Sequence, residues 1–394
     1  MGSKKRSRTV QEPVEPLKNS VDWESEAAKK KTKLNVDEEE EEESDKTLLP
    51  VETLTEQITN EDFRIVAGSY ERILYGVNAF WETKKDNELS LRLEPVFIFP
   101  AHTGCIRTVA VGGSHLASGS SDEVIKLYDL KKRKELGALA GQQQGDINSI
   151  EFYGKYMLTA SDDGTICIWR SKDWELLKTM KGHQGRINSI SIHPSGKIAL
   201  SVSADKTVRL WNLMTAHKAS VHKIGKEGMV VRWNTAGTQY AILFERQLII
   251  YNVADAQPAV TIDSRTKLLS MEYYKDTNTD KEYLVVGSED RSFRVWDAET
   301  GDKVAEVSQH KMRVKAIDII RTTPREGEHE PVDVLVSVSS DGMMKCWDLQ
   351  KVITSKGENM TPLGEYDAKC RITCCTVNLG YKVPKQSEQT EAAE

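Results

Sequence analysis

This 394-residue chain lacks the common signatures of catalysis. It has no Walker phosphate loop, no GxGxxG after a strand, no HExxH and no nucleophile elbow. P-loop phosphoryl transfer, dinucleotide chemistry, zinc proteolysis and hydrolase acyl transfer are therefore all without their usual residues. The chain is expected not to be an enzyme and to need no cofactor. No apolar run reaches 18 residues and no secretory signal opens the sequence, which points to a soluble intracellular protein with no membrane contact. The six cysteines contain no CxxC pair. Cys167 and Cys346 fall on candidate third strands, and Cys105, Cys370, Cys374 and Cys375 at or within first strands. Reduced, mostly buried thiols are the expected state, with zinc binding the alternative.

What is present is a repeat. Tyr128, Trp169, Trp211, Tyr251, Trp296 and Trp347 follow one another at intervals of 41, 42, 40, 45 and 51 residues. Six residues before each stands an acid: Asp122, Asp163, Asp205, Glu245, Asp290 and Asp341. A period of 40 to 45 residues with this pairing marks a β-propeller, in which one repeat supplies about one four-stranded blade. Within one repeat, Arg186 to Ile192 alternates, His193-Pro194-Ser195-Gly196 turns, Ile198 to Val202 runs apolar and Thr207 to Trp211 alternates again. Short apolar runs bounded by Pro, Gly, Asp and Ser read as strands, and no stretch within the repeats sustains a helical period.

The pairing has a physical purpose. A buried carboxylate must be hydrogen-bonded, and a histidine held between Asp and Ser can pin the loop between blades to the middle of a blade. His183, Ser201, Asp205 and Trp211 form one such candidate tetrad, and the spacing repeats in His102, Ser118, Asp122 and Tyr128 and in His310, Ser337, Asp341 and Trp347. Elsewhere the pattern is degraded: Gln142 stands in for the histidine before Asp163, and the repeat of Glu245 and Tyr251 lacks both His and Ser. Ser, His and Asp together also suggest a hydrolase triad, but threefold recurrence with an aromatic partner favours a structural network.

Six repeats are complete, and the two ends make a seventh. Val66 to Val77 resembles Ala117 to Tyr128, and Arg371 to Val377 resembles a first strand. The C-terminal strand is expected to be the innermost of a blade whose outer three strands come from residues 63–100, a closure that removes exposed sheet edges. The fold is thus expected to be all-β, a seven-bladed propeller over residues 61–380, with a short flexible tail at 381–394. Residues 1–60 hold ten Lys and Arg against fifteen Asp and Glu, so they carry nearly all of the net charge of −6. Few apolar residues and blocks of like charge predict disorder there. Lys4, Lys5, Arg6 and Arg8 have the composition of a nuclear import signal, and the acidic run Asp37 to Glu43 could shield basic partners or serve solubility.

Binding is the function left open. The residue preceding each first strand should lie near the central channel: Cys105, Asp146, Arg186, Glu227, Lys267, Arg313 and Arg371 in blade order. The last three are basic and consecutive. Arg291 and Arg72, from turns opening on the same face, and Lys315 extend a candidate basic arc suited to phosphates or an acidic segment, with Lys206 and Arg107 nearby. The alternative is a scatter of solvated charges. Residues 79–94 and 321–332 break the period and read as long loops open to partner contact.

With these residues in hand, a resemblance can be stated. Ile65 to Gly76, with its Gly-Ser-Tyr-Glu, is similar to the opening of the WD-repeat proteins known as interactors of PAK-type kinases and as large-subunit ribosome assembly factors. Further matching stretches are Ile192 to Val202, Asp163 to Trp169 and Val336 to Gly342, and the resemblance spans roughly residues 63–380. It implies a nuclear, mainly nucleolar scaffold, monomeric within a large complex. Its partners would be pre-60S ribosomal proteins, other assembly factors and pre-ribosomal RNA, with damping of a PAK-type kinase as the second role. Relatives of this kind are expected to carry long basic C-terminal extensions, whereas the sequence after the expected last strand is a short, weakly charged tail.

Overall fold

The computed structural model describes residues 61–84, 88–324 and 330–380. The expected tails at 1–60 and 381–394, with Lys4, Lys5, Arg6, Arg8 and the run Asp37 to Glu43, lie outside the described residues.

In chain order the closing blade supplies β1 (Phe63–Ser69), β2 (Ile73–Thr83) and β3 (Leu89–Pro100). The first blade is β4 (Ile106–Gly112), β5 (His115–Ser120), β6 (Ile125–Asp129) and β7 (Lys134–Leu139). The second is β8 (Ile147–Tyr153), β9 (Tyr156–Ser161), β10 (Thr165–Arg170) and β11 (Glu175–Lys181). The third is β12 (Ile187–Ile192), β13 (Ile198–Ser203), β14 (Thr207–Asn212) and β15 (His217–Lys223). The fourth is β16 (Val230–Trp233), β17 (Gln239–Leu243), β18 (Gln247–Asn252) and β19 (Pro258–Asp263). The fifth is β20 (Leu268–Lys275), β21 (Glu282–Ser288), β22 (Phe293–Asp297) and β23 (Lys303–Val307). The sixth is β24 (Val314–Thr322), β25 (Val332–Ser339), β26 (Met343–Asp348) and β27 (Gly364–Asp367), and β28 (Ile372–Leu379) returns to the closing blade.

Each blade is an antiparallel four-stranded sheet, and the closing one has the order β28-β1-β2-β3. The innermost strands contact their neighbours in a full cycle, β28 to β4, β8, β12, β16, β20, β24 and back to β28. The structure is therefore a closed seven-bladed propeller. Val377 pairs with Ile65 and Cys375 with Ala67, which places the C-terminal strand innermost, against the strand that begins the ring.

The core lies between blades. Phe63, Ile65 and Val77 of the closing blade pack with Val334, Val336, Met344 and Cys346 of the sixth, and fully burying such side chains stabilises by about 1.5–3 kcal/mol each. Close approach at the seam depends on Gly68, where a Cβ would stand 2.4 Å from the Ile106 side chain.

The periodic acid first makes a turn. Asp122, Asp163, Asp205, Asp290 and Asp341 each accept the backbone N–H two residues on, the turn that short carboxylates favour. The residue after the acid is left-handed in all five turns: Glu123, Gly164, Lys206, Arg291 and Gly342 have φ of 64°, 76°, 61°, 72° and 95°. Glu245 departs from the pattern, because its longer side chain pairs with Lys267 across 2.7 Å instead.

Two expectations need correction. The repeats do contain a helix, α1 (Leu349–Thr354), after β26. Its N-cap Asp348 accepts the Lys351 N–H, and Leu349 and Val352 are buried; six residues are too few to display a helical period. Of the supposed loops, residues 79–94 are largely strand, whereas of residues 321–332 Arg321, Thr322 and Val332 are strand and 323–324 and 330–331 are not. Ala79 pairs with Leu93 and Thr83 with Leu89, because Ala79, Trp81 and Leu91 face the core between blades. Arg321 pairs with Asp333 and Thr322 with Val332, and these long strands account for much of the 51-residue interval before Trp347.

Candidate binding surface at the channel mouth

The tetrads hold the strands that frame the channel. In the third blade, His183 Nδ1 lies 2.8 Å from Asp205, His183 Nε2 lies 2.7 Å from Ser201 Oγ, and Trp211 Nε1 donates to Ser201 over 2.8 Å. With a neutral ring one proton assignment uses every donor once: Trp211 N–H to Ser201, Ser201 O–H to His183 Nε2, and His183 Nδ1–H to Asp205. Burial lowers the His183 pKa, which keeps the ring neutral. Burial alone would raise Asp205, but hydrogen bonds from Thr207, His183 and the Gln184 N–H outweigh it and bring the carboxyl to about 2. Ser201 is fully buried, out of reach of any substrate, so the group is a clamp.

The other two tetrads are each missing one link. His102 contacts Ser118 at 2.7 Å and Asp122 at 3.1 Å, but the buried Tyr128 hydroxyl makes no hydrogen bond of ordinary geometry. A phenol oxygen sits at the tip of its ring, whereas an indole N–H sits on the flank, beside the serine. In the sixth blade, Ser337 joins His310 at 2.7 Å and Trp347 at 2.8 Å, while His310 Nδ1 and Asp341 Oδ2 are buried without partners. Burial, with the Lys345 charge, pushes His310 down to about 4.

The second blade holds a variant that the motif concealed. Gln143, and not Gln142, takes the histidine position: Thr159 Oγ1 donates to Gln143 Oε1 over 2.6 Å, and Trp169 Nε1 donates to Thr159 over 3.0 Å. Gln143 precedes Thr159 by 16 residues, as His102 precedes Ser118; that interval was the available signal.

The seven innermost strands enclose a channel of about 820 Å³. Midway along it, Arg232 donates to Glu272 over 2.7 Å, and Glu151 and Asp318 line the same cavity. Glu151 accepts the Ile192 N–H at 2.6 Å, and Asp318 accepts those of Val377 and Ile319, each at 2.8 Å. One guanidinium cannot neutralise three carboxylates at this depth. Burial, together with the Glu272 charge, raises both Glu151 and Asp318 to about 7. These charges sit at equivalent places on first strands, inside the residues that sequence reading had singled out.

A pH dependence follows. The fold retains the Glu151 proton up to about pH 7, whereas the unfolded chain releases it at an ordinary glutamate value of about 4.3. This stabilisation is complete below the unfolded value and is lost as pH rises to about 7. Glu151→Gln is therefore expected to stabilise the protein by about 3–4 kcal/mol above neutrality and to be nearly neutral at acid pH. Chemical denaturation at several pH values measures the difference.

At the mouth of the channel the cations are unevenly partnered. Arg107 donates to Asp146 over 2.6 and 2.9 Å. Lys315 has no ion pair among the described residues; burial and the charges of Arg313, Arg107 and Arg371 lower its pKa. Arg313 Nε reaches Ser340 Oγ at 3.2 Å, and the Arg371 guanidinium lies 5.2 Å from the exposed Tyr70 ring. The structure thus groups Arg107, Arg313, Lys315 and Arg371, from the sixth, closing and first blades. Lys267 is set apart by its bond to Glu245, and Arg72 and Arg291 occupy exposed left-handed turn positions, with φ of 70° and 72°. Glu227 lies three residues before β16, so Met229 is the residue that precedes this strand.

Known proteins match this architecture. The WD domain, G-beta repeat model matches residues 93–129, 133–170, 174–212 and 275–297. The first three matches each combine the outermost strand of one blade with the inner three of the next. The chain is 34% identical over 337 residues to p21-activated protein kinase-interacting protein 1-like of Danio rerio, covering 85% of this chain and 86% of that protein. The chain belongs to this WD-repeat family. Protein MAK11 of Saccharomyces cerevisiae is 33% identical over 80% of this chain and 83% of its own length. Shk1 kinase-binding protein 15 of Schizosaccharomyces pombe is 30% identical over 80% and 84%. Against these WD-repeat relatives the match runs through most of both chains, so the family is shared across the ring and not through one generic repeat.

Proposed function

We propose that this WD-repeat protein is a non-catalytic scaffold that acts in assembly of the large ribosomal subunit, in the nucleus and nucleolus. It engages proteins of the precursor particle and fellow assembly factors as a monomer within a large complex. The observation that carries the reading is the family-specific opening Gly68-Ser69-Tyr70-Glu71, built into the closing blade beside the channel mouth, where Arg371 overlies Tyr70 and its N–H donates to Glu71. Arg313, Lys315 and Arg371 supply the charge for an acidic segment or phosphates at that mouth. The domain division follows: a charged tail at 1–60 with an import signal at Lys4 to Arg8, the ring, and a short tail.

A second reading is a signalling adaptor that binds and restrains a PAK-type kinase. The kinase-binding names of the Danio rerio and Schizosaccharomyces pombe relatives favour it. Affinity purification of tagged protein with and without RNase separates the two: large-subunit precursor proteins in the eluate support the first, a lone kinase complex the second. Changing Arg313 and Arg371 together to Glu is expected to cut recovery of partners at least about tenfold, given that close like-charge contacts cost several kcal/mol. Unchanged recovery would rule out the channel mouth as the contact.

A further inference from the structure

Charge is distributed very unevenly round the ring. Between residues 176 and 226, nine Lys and Arg face a single acid, Asp205. That acid is already engaged by His183 at 2.8 Å and lies 3.6 Å from Arg209. Residues 264–309, by contrast, carry seven Lys and Arg against ten acids.

On the rim of the third blade the excess gathers into one surface. Lys178 and Lys181 of β11 share a cleft of about 460 Å³ with His217 and Lys218 at the start of β15, and no carboxylate lines it. Along the same outer strand follow His222 and Lys223, so that six of the seven residues of β15 are exposed. None of these four lysines makes an ion pair among the described residues, whereas Lys303 on the outer strand of the fifth blade pairs with Glu306 at 2.6 Å. The fold thus leaves these four lysines without a partner carboxylate in ion-pair range among the described residues.

We propose that this rim binds the phosphodiester backbone of RNA. The proposal rests on the assembly reading only for the source of the RNA. The composition favours phosphate over an acidic protein. Protein interfaces are depleted in lysine and anchored by buried aromatic or aliphatic residues, and this cleft offers three lysines and one histidine around a Trp211 that is only 1% exposed. Phosphate contacts need positive charge on flexible arms and no apolar anchor, and they carry no base specificity.

The test uses the full chain, a fluorescent oligouridine RNA and, as the competing polyanion, a polyglutamate peptide. The variant Lys178→Gln, Lys181→Gln, Lys218→Gln, Lys223→Gln removes only exposed, unpaired charges. Native protein is expected to bind the RNA with affinity that falls steeply with salt, and the variant to lose about 3 from the slope of log K against log salt, at roughly 0.7 per phosphate contact on a single strand. Lys275→Gln with Lys303→Gln, which removes paired charges in the fifth blade, should leave the slope unchanged. Absence of RNA binding by the native protein, an unchanged slope in the variant, or tighter binding of polyglutamate than of RNA at equal charge would each overturn the proposal. Co-sedimentation of the native protein with large-subunit precursors is scored in parallel. If it persists while RNA binding fails, this inference alone falls; if it is absent while the rim binds RNA, the assembly reading falls instead.

Discussion

Removal of residues 370–379 unfolds the whole ring. The segment provides β28, whose residues pair with β1 at seven positions from Leu379 opposite Phe63 to Ile372 opposite Ser69. At about 1 kcal/mol net per hydrogen bond, together with burial of Ile372, which is 1% exposed, the loss reaches the 5–15 kcal/mol that holds a typical domain together. It also breaks the cycle of inner strands, leaving β4 and β24 without the strand between them, and exposes β1 as an unpaired edge. The truncated protein should therefore show no cooperative thermal transition and should aggregate. Deleting residues 381–394 instead should leave the melting temperature within a degree or so. A truncation at 370 that melts at the native temperature would mean that the ring is closed by something other than its two ends.

Ser201→Ala is expected to cost about 3 kcal/mol and Ser118→Ala about half of that. The change is the same and both serines are fully buried, so the difference isolates the network. Ser201 satisfies two buried groups, His183 Nε2 and Trp211 Nε1; Ser118 holds His102 Nε2, while the Tyr128 hydroxyl makes no hydrogen bond of ordinary geometry. Each orphaned buried group costs about 1–3 kcal/mol. Ser337→Ala should resemble Ser201→Ala, since Ser337 also holds both a histidine and an indole. Urea midpoints for the three variants measure this, and equal losses at Ser201 and Ser118 would show that the aromatic partner adds nothing.

The blade count, the closure and the turn acids were legible because each rests on a short-range rule repeated round the ring. An Asp in an Asx turn six residues before a core aromatic leaves the same mark wherever it occurs. Elements without such a rule stayed hidden. Gln143 and Thr159 do the work of His and Ser with different chemistry, so a search for histidine passed over them. The helix at Leu349 is too short to show a period. The strands at Ala79 to Thr83 and Leu89 to Leu93 carry polar residues such as Glu82 and Arg92 on their outer face and so read as a loop in sequence, although Trp81 and Leu91 are buried. The channel charges Glu151, Arg232, Glu272 and Asp318 meet only when separate repeats are brought round the axis. Of the basic arc, Arg313, Lys315 and Arg371 come together, whereas Lys267 is diverted to Glu245 by the glutamate that replaces the turn aspartate.

The most direct measurement of the account is the sedimentation position of the tagged full-length protein in a nuclear extract. The scaffold reading predicts migration with large-subunit precursors and a shift to lighter fractions when RNase dismantles those particles. Migration as a free monomer, or solely with a kinase, before any RNase treatment would contradict it.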